Sequence, residues 1–115
     1  MTALPTVVRH ESGAEELFTL ALAPDHLAFQ GHFPGYPILP GVIQIDWAVR
    51  LGTQVFGALG DLCGISNLKF MGIIQPLEVL ELRLAYNREE GKLSFQYNGA
   101  TGRKSMGVIC FSVPK

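Results

Sequence analysis

Between Gly31 and Gly41 three prolines and three glycines occupy eleven positions, and the chain then runs directly into a continuous, mainly apolar segment from Val42 to Phe56. Each proline fixes φ and removes a backbone donor, so neither a helix nor a paired strand can pass through this stretch. Pro40 suits the start of a helix, where a missing N–H costs little, and Gly57 suits its end. The spacing therefore predicts one long helix entered from a stiff loop. At about 100° per residue, Ile45, Trp47, Ala48, Leu51, Val55 and Phe56 cover well over half of its circumference, which argues for burial inside a wrapping sheet. Asp46, Arg50 and Thr53 share one narrow polar stripe.

The remainder reads as extended. Val7 to Glu11 and Leu17 to Ala23 are short β-type segments joined at Ser12-Gly13, a candidate hairpin. After Gly64 come Ile65 to Met71, Leu77 to Tyr86, Lys92 to Tyr97 and Ser105 to Val113, with turns at Arg88 to Gly91 and Asn98 to Gly102. Leu80-Glu81-Leu82-Arg83-Leu84 and Leu93-Ser94-Phe95-Gln96-Tyr97 alternate strictly, so one face of each strand should be wet and the other should meet the helix. The expectation is an α+β fold, one long helix against an antiparallel sheet of five or six strands. A length of 115 residues fits a single domain spanning residues 1–115.

With 17% charged residues and a formal net charge of −1, the chain lacks the basic excess of nucleic-acid binders, and nucleic acid is not expected as a partner. The N-terminus has no basic segment leading into an apolar core, and glycine, proline or charge breaks every apolar run well short of a membrane span. These features point to a cytoplasmic protein with no membrane association. Cys63 and Cys110 are far apart in sequence and lack CxxC spacing, which favours ordinary buried thiols over a disulfide or a metal pair.

His32 is the first candidate for chemistry. A rigid loop positions a side chain at little further entropic cost, and neutral imidazole can remove a proton near physiological pH. Capping a backbone carbonyl or packing on Phe33 is the plainer alternative. Asp46, on an otherwise apolar helix, is the second. In a dry environment its pKa would rise, as a proton donor needs; paired with Arg50 at i+4 it would fall, and both outcomes stay open. Gly41 is the third, because its N–H belongs to the first helical turn, where donors lack an intrahelical partner and could stabilise a developing oxyanion. A purely steric need for glycine beside proline accounts for it equally well. No GxSxG, Walker, GxGxxG or HExxH motif is present, and His10, His26 and His32 show no metal-site spacing, so no metal is expected.

The pattern His32-Phe33-Pro34-Gly35-x-Pro37-x-x-Pro40-Gly41, with Asp46 fourteen residues after His32, resembles the active-site segment of hotdog-fold 3-hydroxyacyl-acyl-carrier-protein dehydratases of the FabA/FabZ type. Ser66-Asn67-Leu68-Lys69-Phe70 resembles the strand after the helix in that family, and Leu39 to Ala48 is similar to the ApeI-like dehydratases of aryl polyene biosynthesis. The resemblance implies a long central helix wrapped by a curved antiparallel sheet, two subunits forming a continuous sheet as a homodimer or heterodimer, and active sites at their interface. It implies that His32 of one subunit and Asp46 of the other act on a 3-hydroxyacyl thioester carried on the phosphopantetheine of acyl carrier protein, with no further cofactor. His32 would take the C2 proton, Gly41 would polarise the thioester oxygen, and Asp46 would help the C3 hydroxyl leave as water.

Phe33, Tyr36, Ile38 and Trp47 would line the acyl site or, equally, the core. Arg50 stands where relatives commonly carry Gln, and it is expected to line the site and alter substrate choice. Seven of the nine Lys and Arg residues follow Leu68, and Arg83, Arg88, Lys92, Arg103 and Lys104 are candidates for docking an acidic carrier, or ordinary solvated strand charges. Two alternatives share the fold: an acyl-thioester hydrolase, and a non-catalytic subunit that completes a partner's site.

Overall fold

The computed structural model describes residues 3–23 and 38–112. His32, Phe33, Tyr36 and most of the Gly/Pro loop lie outside the described residues, as does Val113. Six strands and one helix follow in the order β1 (Thr6–Ser12), β2 (Glu16–Ala21), α1 (Gly41–Phe56), β3 (Leu62–Phe70), β4 (Val79–Asn87), β5 (Lys92–Gly99) and β6 (Gly102–Phe111). The strands form one sheet in the order β1-β2-β4-β5-β6-β3, and every neighbouring pair is antiparallel.

Alternation decides which face meets the helix. Leu80, Leu82 and Leu84 of β4 and Leu93, Phe95 and Tyr97 of β5 are buried, and Phe18, Leu20 and Ile109 join them from the flanking strands. Against this layer α1 sets Ile43, Trp47, Ala48 and Leu51. Burying these side chains supplies roughly 1.5–3 kcal/mol each relative to leaving them in water, which is what holds the helix on the sheet. The helix begins at Gly41, one residue before the expected start; Pro40 at the cap is extended, with φ −63° and ψ 147°. Gly57, at φ 84°, ends it and donates its N–H to the Thr53 carbonyl at 3.0 Å.

Several boundaries differ from the sequence reading. β2 stops at Ala21, and the Leu22 carbonyl accepts from Leu77 N instead. Leu77 has φ 70°, a left-handed conformation that no strand accommodates, so β4 opens at Val79. Gly99 pairs with Gly102, which narrows the expected Asn98 to Gly102 turn to Ala100-Thr101. β3 starts at Leu62 and runs through Gly64, with pairing irregularities at Leu62/Gly64 and Ser66/Lys69 that absorb the glycine and the left-handed Asn67. Burial of the whole helix is met on one side only. Val42 is exposed, and Ile45, Val49 and Phe56 pack against the margin of the core while staying half-buried, so α1 keeps a partly uncovered apolar strip.

Candidate functional site

A cavity of about 310 Å³ opens at the N-terminus of α1, lined by Ile38, Pro40, Gly41, Phe70, Gly72 and Ile73 together with Leu39 and Gln44. Gly41 contributes a wall with no side chain. A Cβ built there would lie 2.5 Å from Cζ of Phe70, so the ring rests directly on the glycine. The Gly41 N–H belongs to the first helical turn and has no intrahelical acceptor, and Pro40 provides no side-chain cap. The opposite wall is tied down: Leu39 N donates to Ile74 O at 2.8 Å, Met71 N to Lys104 O at 2.8 Å, and Lys104 Nζ to Ile73 O at 3.0 Å. A largely apolar recess with a helix N-terminus at its wall suits an acyl group whose carbonyl oxygen gains negative charge.

Asp46 sits on the polar stripe with Arg50 and Thr53, its side chain 43% exposed, and Arg50 Nη1 lies 3.4 Å from its Oδ2. Five residues separate it from Gly41, which is about 7.5 Å along the axis and about 140° around it. Within one chain the two groups therefore face different sides of the helix. Trp47 is fully buried and donates Nε1–H to the Ala3 carbonyl at 3.1 Å, which places it in the core rather than on the cavity wall. Ile38 does reach that wall.

In the sequence Gln44 is only one more position of a mainly apolar helix, yet in the fold it is a buried polar side chain at the head of α1. Its Nε2 donates to Leu39 O at 3.2 Å, its Oε1 accepts from Ser105 Oγ at 2.6 Å, and its backbone carbonyl accepts from the Tyr97 hydroxyl at 2.6 Å. Burial, with the nearby Asp46 charge adding to it, pushes the Tyr97 pKa well above its usual value, so the hydroxyl remains a donor. The signal that could have found Gln44 is a glutamine on the sheet-facing side of an amphipathic helix.

Among the described residues no group of three or more His, Cys, Asp or Glu side chains converges on a point that could hold a metal ion. No helix among them is long and apolar enough to cross a membrane. The cysteines, distant in sequence, fall on paired strands: Cys63 lies in the irregularity opposite the Cys110 and Phe111 positions. Both are free thiols, Cys63 exposed and Cys110 half-buried, contrary to the expectation of two buried ones.

A long helix laid against a six-stranded antiparallel sheet, with a recess of about 310 Å³ at the helix N-terminus and a carboxylate about a turn and a half further on, defines a protein of the hotdog fold. The profile of the ApeI-like family, described as ApeI dehydratase, matches residues 8–108. The chain belongs to that ApeI-like dehydratase family. Over 94 residues it is 28% identical to the 3-hydroxyacyl-[acyl-carrier-protein] dehydratase FabZ of Geobacillus thermodenitrificans, covering 76% of this chain and 65% of the relative. With the FabZ of Latilactobacillus sakei the identity is 25% over 100 residues, covering 81% and 71%. The chain thus spans about two thirds of the length of these curated relatives.

Among solved structures, a chain of the dehydratase heterocomplex ApeI:P from Xenorhabdus doucetiae superposes with a TM-score of 0.86 at 30% identity, covering 94% of this chain and 97% of that one. The dehydratase domain of the polyketide PpsC from Mycobacterium tuberculosis gives 0.74 at 17% identity, covering 98% of this chain and 46% of that one, a likeness of fold.

Proposed function

We propose that this chain, acting as one hotdog domain in the cytoplasm, dehydrates a 3-hydroxyacyl thioester on the phosphopantetheine of an acyl carrier protein to the trans-2-enoyl thioester. The observation that carries this reading is the recess at the α1 N-terminus, where an apolar wall meets the Gly41 N–H. His32 removes the C2 proton, and the C2–H electron pair becomes the second bond between C2 and C3. The C3–O bond breaks, and the departing hydroxide takes up the proton that His32 removed and leaves as water, helped by Asp46 directly or through a water molecule. Charge that develops on the thioester oxygen meanwhile is stabilised by the Gly41 N–H. Proton transfer at these groups accounts for the whole step without a cofactor beyond the carrier's own phosphopantetheine.

The working site is composite. A separation of about 140° between Gly41 and Asp46 on one helix favours a substrate that meets Gly41 of one subunit and Asp46 of another. The apolar strip of Val42, Ile45 and Val49, and the exposed Leu62, Ile65 and Leu68 of edge strand β3, supply the surface on which a second hotdog subunit would close. That subunit is another copy or a related chain, an arrangement supported by the likeness to the ApeI:P heterocomplex. Phe33, Tyr36 and Ile38 would line the acyl path, and Arg50 would tune the choice of acyl group.

The test is incubation of the purified chain, alone and with a candidate partner subunit, with a 3-hydroxyacyl carrier thioester. Loss of one water from the acyl group, measured by mass spectrometry and abolished by His32→Ala and by Asp46→Asn, is the expected result. Release of free carrier thiol would instead identify a hydrolase, and dehydration unaffected by both substitutions would overturn the site assignment.

A further inference from the structure

We infer that Gln44, anchored by Ser105, is a positioning residue that aims the Gly41 N–H at the reacting thioester. The inference rests on the dehydratase reading of the Gly41 site. Gln44 and Ser105 are the buried polar side chains among the described residues, 3% and 0% exposed, and no buried side-chain nitrogen or oxygen there lacks a partner. An apolar residue would fill the same space without the desolvation cost of an amide, so what the amide adds is direction.

The bonds show where that direction is applied. Gln44 Nε2 holds the Leu39 carbonyl at 3.2 Å, so the side chain bridges from one turn inside the helix to the residue before Pro40. Gly41 lies between those two points. Its peptide is therefore clamped from both sides, while Leu39 N is held by Ile74 O at 2.8 Å. Ser105 Oγ, donating to Gln44 Oε1 at 2.6 Å, fixes which way round the amide sits: a flipped amide would set its oxygen against the Leu39 carbonyl. The Tyr97 hydroxyl, 2.6 Å from the Gln44 carbonyl, pins the backbone of the same residue to β5. Pro40 offers no side-chain cap, but its carbonyl accepts from Ile43 N at 3.1 Å and Gln44 N at 3.2 Å, so the first turn is closed by its own backbone and the Gln44 bonds fix how that turn sits against the sheet. Gln44 touches no reacting atom in this scheme; it acts through the Gly41 peptide.

Gln44→Met and Ser105→Ala, alone and together, test this in the full chain assembled with whichever subunit supports activity. A displaced donor should lower kcat roughly tenfold to a hundredfold while KM moves far less, because Ile38, Phe70 and Ile73 of the apolar wall stay in place and Ser105→Ala alters no residue that lines the recess. Gln44→Met leaves both Ser105 Oγ and the Leu39 carbonyl without their partner, whereas the double variant leaves only the carbonyl, so the double variant should melt no lower than Gln44→Met yet stay as slow. Wild-type kcat in Gln44→Met, or kcat that merely follows melting temperature and recovers in the double variant, would overturn the inference. His32→Ala run alongside separates the two failures. Dehydration surviving that change sinks the His32 and Gly41 site assignment on which the inference rests, whereas an inactive His32→Ala beside a fully active Gln44→Met sinks only the positioning role.

Discussion

Gly41→Ala offers a quantitative check on the packing at the α1 N-terminus. The added Cβ would stand 2.5 Å from Cζ and 2.8 Å from Cε1 of Phe70, whereas carbon atoms settle at about 3.5–4.0 Å. The ring must retreat by about 1 Å. Forced overpacking of this kind costs roughly 1–3 kcal/mol in a closed core. Phe70 is half exposed, so the ring has somewhere to go, and the lower end of that range applies. Against it stands a gain of about 0.4–1 kcal/mol from stiffening the unfolded chain, since Gly41 has no positive φ that alanine would resist. The net destabilisation of Gly41→Ala should be about 1 kcal/mol or less. The sharper observable is coupling. In a Phe70→Ala background the clash is gone, and Gly41→Ala should become neutral or mildly stabilising, giving an interaction energy of about 1 kcal/mol in a double-mutant cycle of urea unfolding curves. Equal effects of Gly41→Ala in both backgrounds would refute the claim that the ring and the glycine are in contact.

Three further outcomes are expected. Arg50→Gln removes a partly exposed partner 3.4 Å from Asp46, so unfolding free energy should move by less than about 0.5 kcal/mol while relative kcat/KM across a panel of acyl groups changes; an unchanged panel would dismiss a role in substrate choice. Arg88, which donates to the Phe56 carbonyl at the end of α1 and lies 5.2 Å over the Tyr86 ring, should cost about 1 kcal/mol when changed to Ala, read from thermal or urea melts, and no loss would show that it does not cap the helix. Hydrogen bonds from Ser12 and His10 hold the Glu16 carboxyl below the usual carboxylate range, so its stabilising contribution is present above the ordinary carboxylate pKa and fades as pH falls through the lowered one. Ser12→Ala should move the Glu16 titration, followed by NMR, back toward the ordinary value; an unmoved curve would contradict the bond.

How far the sequence can be read depends on the range over which each residue's partners lie. Pro40 and Gly57 act on their own backbone, so the limits of α1 are legible to within a residue. Strict alternation in β4 and β5 likewise marks their inward faces through the order of residues alone. The pairing of β3 with β6, and hence its place at the sheet margin, depends on contacts some 40 residues apart that no local pattern encodes. The same holds for Gln44, whose partners Tyr97 and Ser105 lie 53 and 61 residues downstream. A glutamine in a helix looks solvent-facing until the strands that satisfy its amide are in place. Leu77 misleads because its left-handed φ belongs to the turn in which Glu78 N donates to Gln75 O at 3.4 Å, while its own N–H is held by the distant Leu22 carbonyl, against the residue's own preference.

The two margins of the sheet are unlike. β1 is exposed along its whole length, with an Arg9–Glu11 ion pair and a pairing irregularity between Val7 and Arg9. β3, at the other end, offers Leu62, Ile65 and Leu68. Both edges are irregular, but β1 carries Arg9, His10 and Glu11 along its length whereas β3 presents Leu62, Ile65 and Leu68, so β3 is the more adhesive side. On the composite-site reading proposed above, a particle with one dominant sticky side would recruit one neighbour and then be sealed, so growth would end at a closed pair instead of a filament.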